Sequence, residues 1–307
     1  MSHWCTIAPI VSVWRGPSFH FAEPVDVGCG VRLIRAPDWL RDDDITRLMS
    51  SVGRAYVEQA RFALSIDYEA DSHGDPDPAW TRQAGMSKQD VAVEKIRLVN
   101  LSLWLARPSW LGFEMVIDVR EDQGAWILRR VYDGDPIRPL AEEAENTLAL
   151  ADLEYARTVA ESALVLPIRS APWRSLMLLW RSLAEIDGHN RYLFLWIGLE
   201  ALFGPTNASE ITYRLSQRLA FFVAESRAAA GELYRRAKEA YSLRSKIVHG
   251  FRVASLETER SAALLTDSEC GIRTALRKII VDAGFRHMFE DERRREAFLD
   301  GLAFSGT

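Results

Sequence analysis

Two prolines, Pro167 and Pro172, stand within the eight residues Leu166–Trp173, and the apolar periodicity of the chain changes across them. Proline fixes φ and removes a backbone donor, so neither a helix interior nor a central strand runs easily through such a segment. Upstream, segments of alternating apolar character lie between helical ones. Downstream, every apolar segment repeats with the helical period. The chain is therefore expected to be α+β, with a mixed α/β N-terminal domain over residues 1–168 and an all-helical domain over residues 169–307. Its 307 residues suffice for two cores of ordinary size.

In the first half, Val25–Ala36 reads as a strand with Gly28 and Gly30 marking a turn or bulge. Pro37-Asp38 opens a helix over Asp44–Gln59, and Arg61–Glu69 reads as a strand. Asp71–Pro78 is a polar loop. Ser87-Lys-Gln-Asp90 has the form of a capping box ahead of a helix running into Leu105. Phe113–Val119 and Ala125–Tyr132 suit a hairpin about Asp122-Gln-Gly124, and Glu142–Leu164 suits a long helix. In the second half, helices are expected at Leu176–Ile186, Arg191–Phe203, Glu210–Arg227 (capped by Ser209 or Asn207), Glu232–His249, Thr258–Ala283 and Asp291–Leu302. Arg191–Phe203 is apolar nearly all round, which marks a central helix.

Charge is divided unevenly. Residues 1–165 hold 17 Lys and Arg against 26 Asp and Glu; residues 166–307 hold 21 against 17. A polyanion would meet the second half, although so small an excess does not by itself produce tight nonspecific binding. Three cysteines, Cys5, Cys29 and Cys270, without regular spacing argue against a disulfide framework and fit a reducing cytoplasm. The absence of CxxC argues against a zinc knuckle. The first residues lack the layout of a signal peptide, and no apolar run approaches the roughly 20 residues that span a bilayer. No membrane contact and no cofactor are expected.

The densest chemistry lies in Arg244-Ser-Lys-Ile-Val-His249-Gly250. Arg is always charged and forks two hydrogen bonds onto a phosphate. His exchanges a proton near neutral pH. On an ideal helix, positions five apart lie about 140° from each other, so one straight helix does not aim both at a point. The reach of the arginine, fraying at Gly250 or a second copy across a two-fold axis would bring them together. Each residue also has a structural reading: His249 as a helix C-cap interacting with the dipole, Arg244 as the partner of Glu239 or Glu200, and Lys246 as a solvated charge.

Three segments precede or include that motif in a fixed order: Tyr192-Leu-Phe-Leu-Trp-Ile-Gly-Leu-Glu-Ala-Leu-Phe203, then Glu210-Ile-x-x-Arg-Leu-x-x-Arg-Leu-Ala220, then Tyr241-x-x-Arg-Ser-Lys-Ile-Val-His-Gly250. In this order and spacing they resemble the Apea-like branch of the HEPN superfamily, over about residues 172–285. The resemblance implies an antiparallel helical bundle that pairs with a second copy. It implies a metal-independent endoribonuclease in which Arg244 and His249 are catalytic, leaving a 2′,3′-cyclic phosphate and a 5′-hydroxyl. It also implies a role in stress response, toxin action or anti-phage defence, with RNA as the partner. Many nuclease members carry Asn, Asp or His directly after the arginine, where this chain has Ser245, and some members are noncatalytic modules that bind nucleotide, RNA or protein. The N-terminal domain would then sense a trigger or recruit a partner.

Supporting roles fall to Ser245, Glu200 and Lys246. Glu200 interrupts an apolar helix, where a carboxylate is costly unless paired; its expected partner is Arg218 or Arg244, and it would orient Arg244. Arg214 and Arg218, one turn apart, form a short basic stripe that reads as a phosphate-binding pair or as a solvated face. The acids Asp67, Glu69, Asp71, Asp75 and Asp77 near His73 lack the order of a calcium loop. Trp39, Trp80 and Trp110 are candidates for a ligand surface of the first domain.

Overall fold

The structure is a computed structural model that describes residues 3–11, 18–19, 21, 23–69, 86–109, 112–134, 137, 147–205, 210–249 and 259–302. The chain divides into two compact units between Val165 and Leu166. The first carries an antiparallel sheet and the second, among the described residues, only helices, which is the α+β arrangement.

The sheet of the first unit is built from β1 (His3–Ile10), β3 (Val25–Asp26), β4 (Arg32–Arg35), β5 (Phe62–Glu69), β6 (Met115–Asp122) and β7 (Ala125–Asp133), in the order β3-β4-β5-β1-β6-β7. A separate parallel pair joins β2 (Ser18–Phe19) to β8 (Thr147–Leu148). Neighbouring strands of the main sheet run antiparallel, so successive residues of β1 face opposite cores. Ala8 and Ile10 join Leu33, Leu64 and Val116 on the face packed by α3 (Lys88–Ala106) and α4 (Leu150–Leu164). Cys5 and Ile7 join Ile117 and Val119 on the other face. There a 3-10 turn (Asp38–Arg41), α1 (Asp43–Thr46) and α2 (Ser51–Gln59) supply Leu40, Ile45 and Val57.

Four differences from the sequence reading have local causes. First, β1 was not anticipated. It contains Pro9, but its pairing with β6 covers only Trp4–Ile7, so the proline lies where β1 has no neighbour on that side. Second, Val25–Ala36 is two strands, because Gly28, Cys29 and Gly30 all take positive φ and turn the chain back on itself. Third, the helix expected over Asp44–Gln59 breaks at Ser50, whose side chain accepts from Gly53 N–H and caps a new helix. Fourth, α4 begins at Leu150; the expected start at Glu142 lies outside the described residues, as does the Asp71–Pro78 loop. The capping box at Ser87 and Asp90 forms as the sequence indicates.

One polar cluster interrupts the first face. Asp118 is fully buried and accepts from the Thr6 hydroxyl and from Tyr132 Oη at 3.2 Å, while Tyr68 Oη lies 3.3 Å from Thr6. Burial holds the Asp118 carboxyl above the usual carboxylate range, against the opposing pull of these hydrogen bonds.

The second unit comprises α5 (Ala171–Ala184), α6 (Gly188–Phe203), α7 (Ile211–Val223), α8 (Arg227–Val248), α9 (Glu259–Val281), α10 (Ala283–Glu290) and α11 (Glu292–Gly301). Pro172 lies in the first turn of α5, behind the Ser170 cap, so the proline starts this helix. α7 ends four residues earlier than expected, and Ser226 caps α8 from Arg227. Asn207 and Ser209, the expected caps of α7, lie outside the described residues. α6 packs against α5, α7, α8 and α9, with Tyr192, Leu195, Trp196, Leu199, Leu202 and Phe203 buried. Gly198 permits that approach: a Cβ there would stand 2.8 Å from Ile272 Cδ1 of α9 and 3.4 Å from Ser175 Oγ of α5. No helix among the described residues is long and apolar enough to cross a membrane.

Candidate functional site

The site is built where α6 meets the C-terminal half of α8. Tyr192 of α6 donates its hydroxyl to the carbonyl of Ala240 at 2.7 Å. One turn on, Trp196 meets Tyr241 edge-on, with ring centroids 5.4 Å apart. A further turn brings Glu200 opposite Arg244. The helical spacing 192, 196, 200 on α6 thus faces 240, 241, 244 on α8, and each rung fixes the register for the next.

Arg244 Nη2 lies 3.0 Å from Glu200 Oε1 and donates to Oε2 at 3.2 Å. Both side chains keep about a fifth of their surface in solvent, 21% and 23%. The Arg244 guanidinium also stands 5.6 Å from the centre of the Tyr241 ring, within cation–π range. Burial first, and then the Glu200 charge, push the Tyr241 phenol up to about 12, so at neutral pH it is an uncharged surface under the cation. Of the two partners considered for Glu200, it is Arg244 that takes it. Glu239, the other partner considered for Arg244, pairs with Arg260.

His249 follows the last residue of α8. Its backbone N–H reaches the carbonyl of Ser245 at 3.1 Å, and its φ and ψ of −82° and 10° leave the helical path. It therefore occupies the C-cap position, and its residue is exposed. Lys246 is also exposed and Ser245 half-buried; Gly250 lies outside the described residues. The helix thus carries a held cation one turn before its end and an exposed imidazole at its end.

Arg214 and Arg218 are not part of this site. Arg218 is 3% exposed and donates to Glu296 Oε1 at 2.6 Å, Glu296 Oε2 at 3.2 Å and Asp300 Oδ1 at 2.7 Å, and to the carbonyl of Phe203 at 3.2 Å. Arg214 reaches Asp300 Oδ1 at 2.8 Å. A phosphate would have to displace two carboxylates of α11 to reach Arg218. The stripe therefore forms an ion-paired joint between α7 and α11, buried at Arg218 and open toward Asp300. Its signal in the sequence was a matching acidic pair, Glu296 and Asp300, with the same four-residue spacing.

Among the described residues no group of three or more His, Cys, Asp or Glu is placed to hold a metal ion. Of the acidic cluster, Asp67 pairs with Arg32, and residues 71, 73, 75 and 77 lie outside the described residues. Trp39, half-buried, stacks on Trp126 at 5.2 Å beside the second core; Trp80 and Trp110 lie outside the described residues. All three cysteines are free, Cys5 buried, Cys29 half-buried and Cys270 exposed.

Comparison with protein-family models, with curated proteins and with solved structures gives no match to this chain.

Proposed function

We propose that this protein is a metal-independent endoribonuclease of the HEPN type, working as a homodimer in a stress, toxin or defence role. The observation that carries the reading is Arg244 one turn before the end of α8 with the exposed His249 at its C-cap, Glu200 holding the guanidinium at 3.0 Å. Cleaving RNA without a metal needs three things: a base for the 2′-hydroxyl, an acid for the leaving 5′-oxygen, and a positive charge on the phosphorane. His249 moves a proton and Arg244 stabilises the phosphorane. The attacking 2′-oxygen forms a bond to phosphorus as the bond to the 5′-oxygen breaks, leaving a 2′,3′-cyclic phosphate and a 5′-hydroxyl.

One imidazole does not serve both faces of an in-line displacement, and the helix turns Arg244 and His249 apart. A second copy across a two-fold axis supplies the missing group. Glu200 acts as a positioning residue: it fixes the arginine before substrate arrives and yields part of its claim when a phosphate takes the guanidinium. The first unit serves as the sensing or recruiting part.

The noncatalytic reading, a dimer that binds nucleotide, RNA or a protein partner, draws support from the same ion pair, because Glu200 neutralises the cation in each chain. The two separate cleanly. Incubation of the full chain with total RNA in EDTA, with analysis of the end groups, gives cyclic phosphate and 5′-hydroxyl ends if it is a nuclease. Intact RNA with a folded dimer gives the binding module.

A further inference from the structure

The second unit carries a cleft well away from Arg244. It opens between α7 and the first turns of α8, encloses about 300 Å³, and is lined by Tyr213, Gln217, Phe221, Arg227, Gly231 and Tyr234 with two alanines. That volume is at the lower end of small-molecule sites. Arg227 is the first residue of α8 and Arg244 comes seventeen later, so the two lie roughly 25 Å apart along the helix at ~1.5 Å per residue.

The lining is chemically one-sided. Tyr213 and Tyr234 meet with centroids 5.9 Å apart and planes at 77°, making a corner in which a flat ring lies against one phenol and meets the other edge-on. Tyr213 is 47% exposed, too open for a core aromatic. Gln217 reaches toward Tyr213 Oη at 3.4 Å, a distance so long that its amide is readily drawn to a better partner. Arg227 is exposed, and no carboxylate lines the cleft. At Gly231, inside a helix, a Cβ would meet nothing within 4 Å. Glycine there weakens the helix relative to alanine and leaves that side of the cleft open.

We infer that the α7–α8 cleft binds a small planar aromatic anion, its ring in the corner of Tyr213 and Tyr234 and its charged group on Arg227. Two sources share that chemistry, a nucleotide and an aromatic carboxylic acid. The site is independent of the proposed nuclease reaction.

The test is titration calorimetry on the full-length chain with AMP, UMP and indole-3-carboxylate. Adenosine, uridine, indole and inorganic phosphate serve as half-ligands. Binding of an anionic ring in preference to both its neutral ring and inorganic phosphate is expected; which anion binds names the source. Arg227→Glu is expected to weaken it by about tenfold or more, the scale of one charged hydrogen bond. Gly231→Leu fills the cleft with a better helix former, so the chain stays folded and binding is lost. No heat from any probe at millimolar concentration overturns the inference. So does binding unchanged in Gly231→Leu, or phosphate binding as tightly as a nucleotide.

Discussion

Glu200 of α6 and Arg244 of α8 form an ion pair, 3.0 Å apart, at the end of a ladder that begins with the Tyr192 hydroxyl on the carbonyl of Ala240. The pair resolves the oddest feature of α6, a carboxylate in an otherwise apolar run. It also sets how firmly the arginine is held. With about a fifth of each side chain exposed, the pair lies between the surface and buried regimes. Glu200→Gln is expected to cost about 1–2 kcal/mol of stability, between the two ranges. A double-mutant cycle with Arg244→Ala in urea checks it, since a coupling near zero contradicts a pair that positions the arginine.

Arg218 is the structural counterpart. It is buried, and the two carboxylates of α11 converge on it. Arg218→Ala removes the buried cation but leaves Glu296 and Asp300 partly exposed and still paired with Arg214, so it is expected to destabilise the second unit by about 1–3 kcal/mol, whereas Arg214→Ala costs less. The Asp300 carboxyl is held below its usual range, first by its hydrogen bond from Arg218. Burial raises the Glu296 carboxyl, but the hydrogen bond and charge of Arg218 outweigh it and leave that group low as well. A depressed folded-state pKa contributes stability above the unfolded value and loses it as pH falls through the folded one. Acid unfolding is therefore expected to be steeper in wild type than in Arg218→Ala, measured by urea midpoints at descending pH.

Asp118 has the opposite sign. Its carboxyl is raised by burial, so the folded chain binds that proton more tightly than the unfolded chain. Wild-type stability falls as pH rises from the unfolded carboxyl value, about 3.9, through the folded one, and then levels. Asp118→Asn removes that dependence and is expected to be at least as stable as wild type at neutral pH. Asp118→Ala removes the acceptor shared by the Thr6 and Tyr132 hydroxyls and costs about 1–3 kcal/mol. Thermal melts of both variants across this pH range decide between these outcomes and a cluster that requires the charge.

The turn at Gly28 supplies a backbone test. Its φ is +96°, and a Cβ would lie 3.1 Å from the carbonyl oxygen of Arg157 in α4. Strain and the close contact act together, so Gly28→Ala is expected to lose about 1–3 kcal/mol. An unchanged melting temperature would mean that the turn relaxes.

Much of the helical unit was legible from its period, but the caps Ser170, Asp187 and Ser226 were not read, and the helices they start begin before the expected Leu176, Arg191 and Glu232. What the sequence hid was long-range. Glu296 and Asp300 carry a spacing that matches Arg214 and Arg218, yet nothing local says that residues 78 to 86 positions apart will meet. β1 was hidden by Pro9 and by burial on both faces, which erases the alternation a half-exposed strand shows. The Tyr213–Tyr234 corner was invisible for the same reason as the acidic pair: it exists only when α7 lies on α8. By contrast, the pairing of Glu200 with one of two named arginines could be anticipated, since an acid in an apolar helix demands a partner.

The most direct measurement is the rate of RNA cleavage in EDTA by wild type, Arg244→Ala and His249→Ala, each confirmed as a folded dimer. The account predicts 2′,3′-cyclic phosphate ends from wild type and a loss of at least about a hundredfold in each variant, the scale of removing a proton-transfer group or a charge-stabilising donor. Cleavage that survives both substitutions, or a folded wild-type dimer that leaves RNA intact, would contradict it.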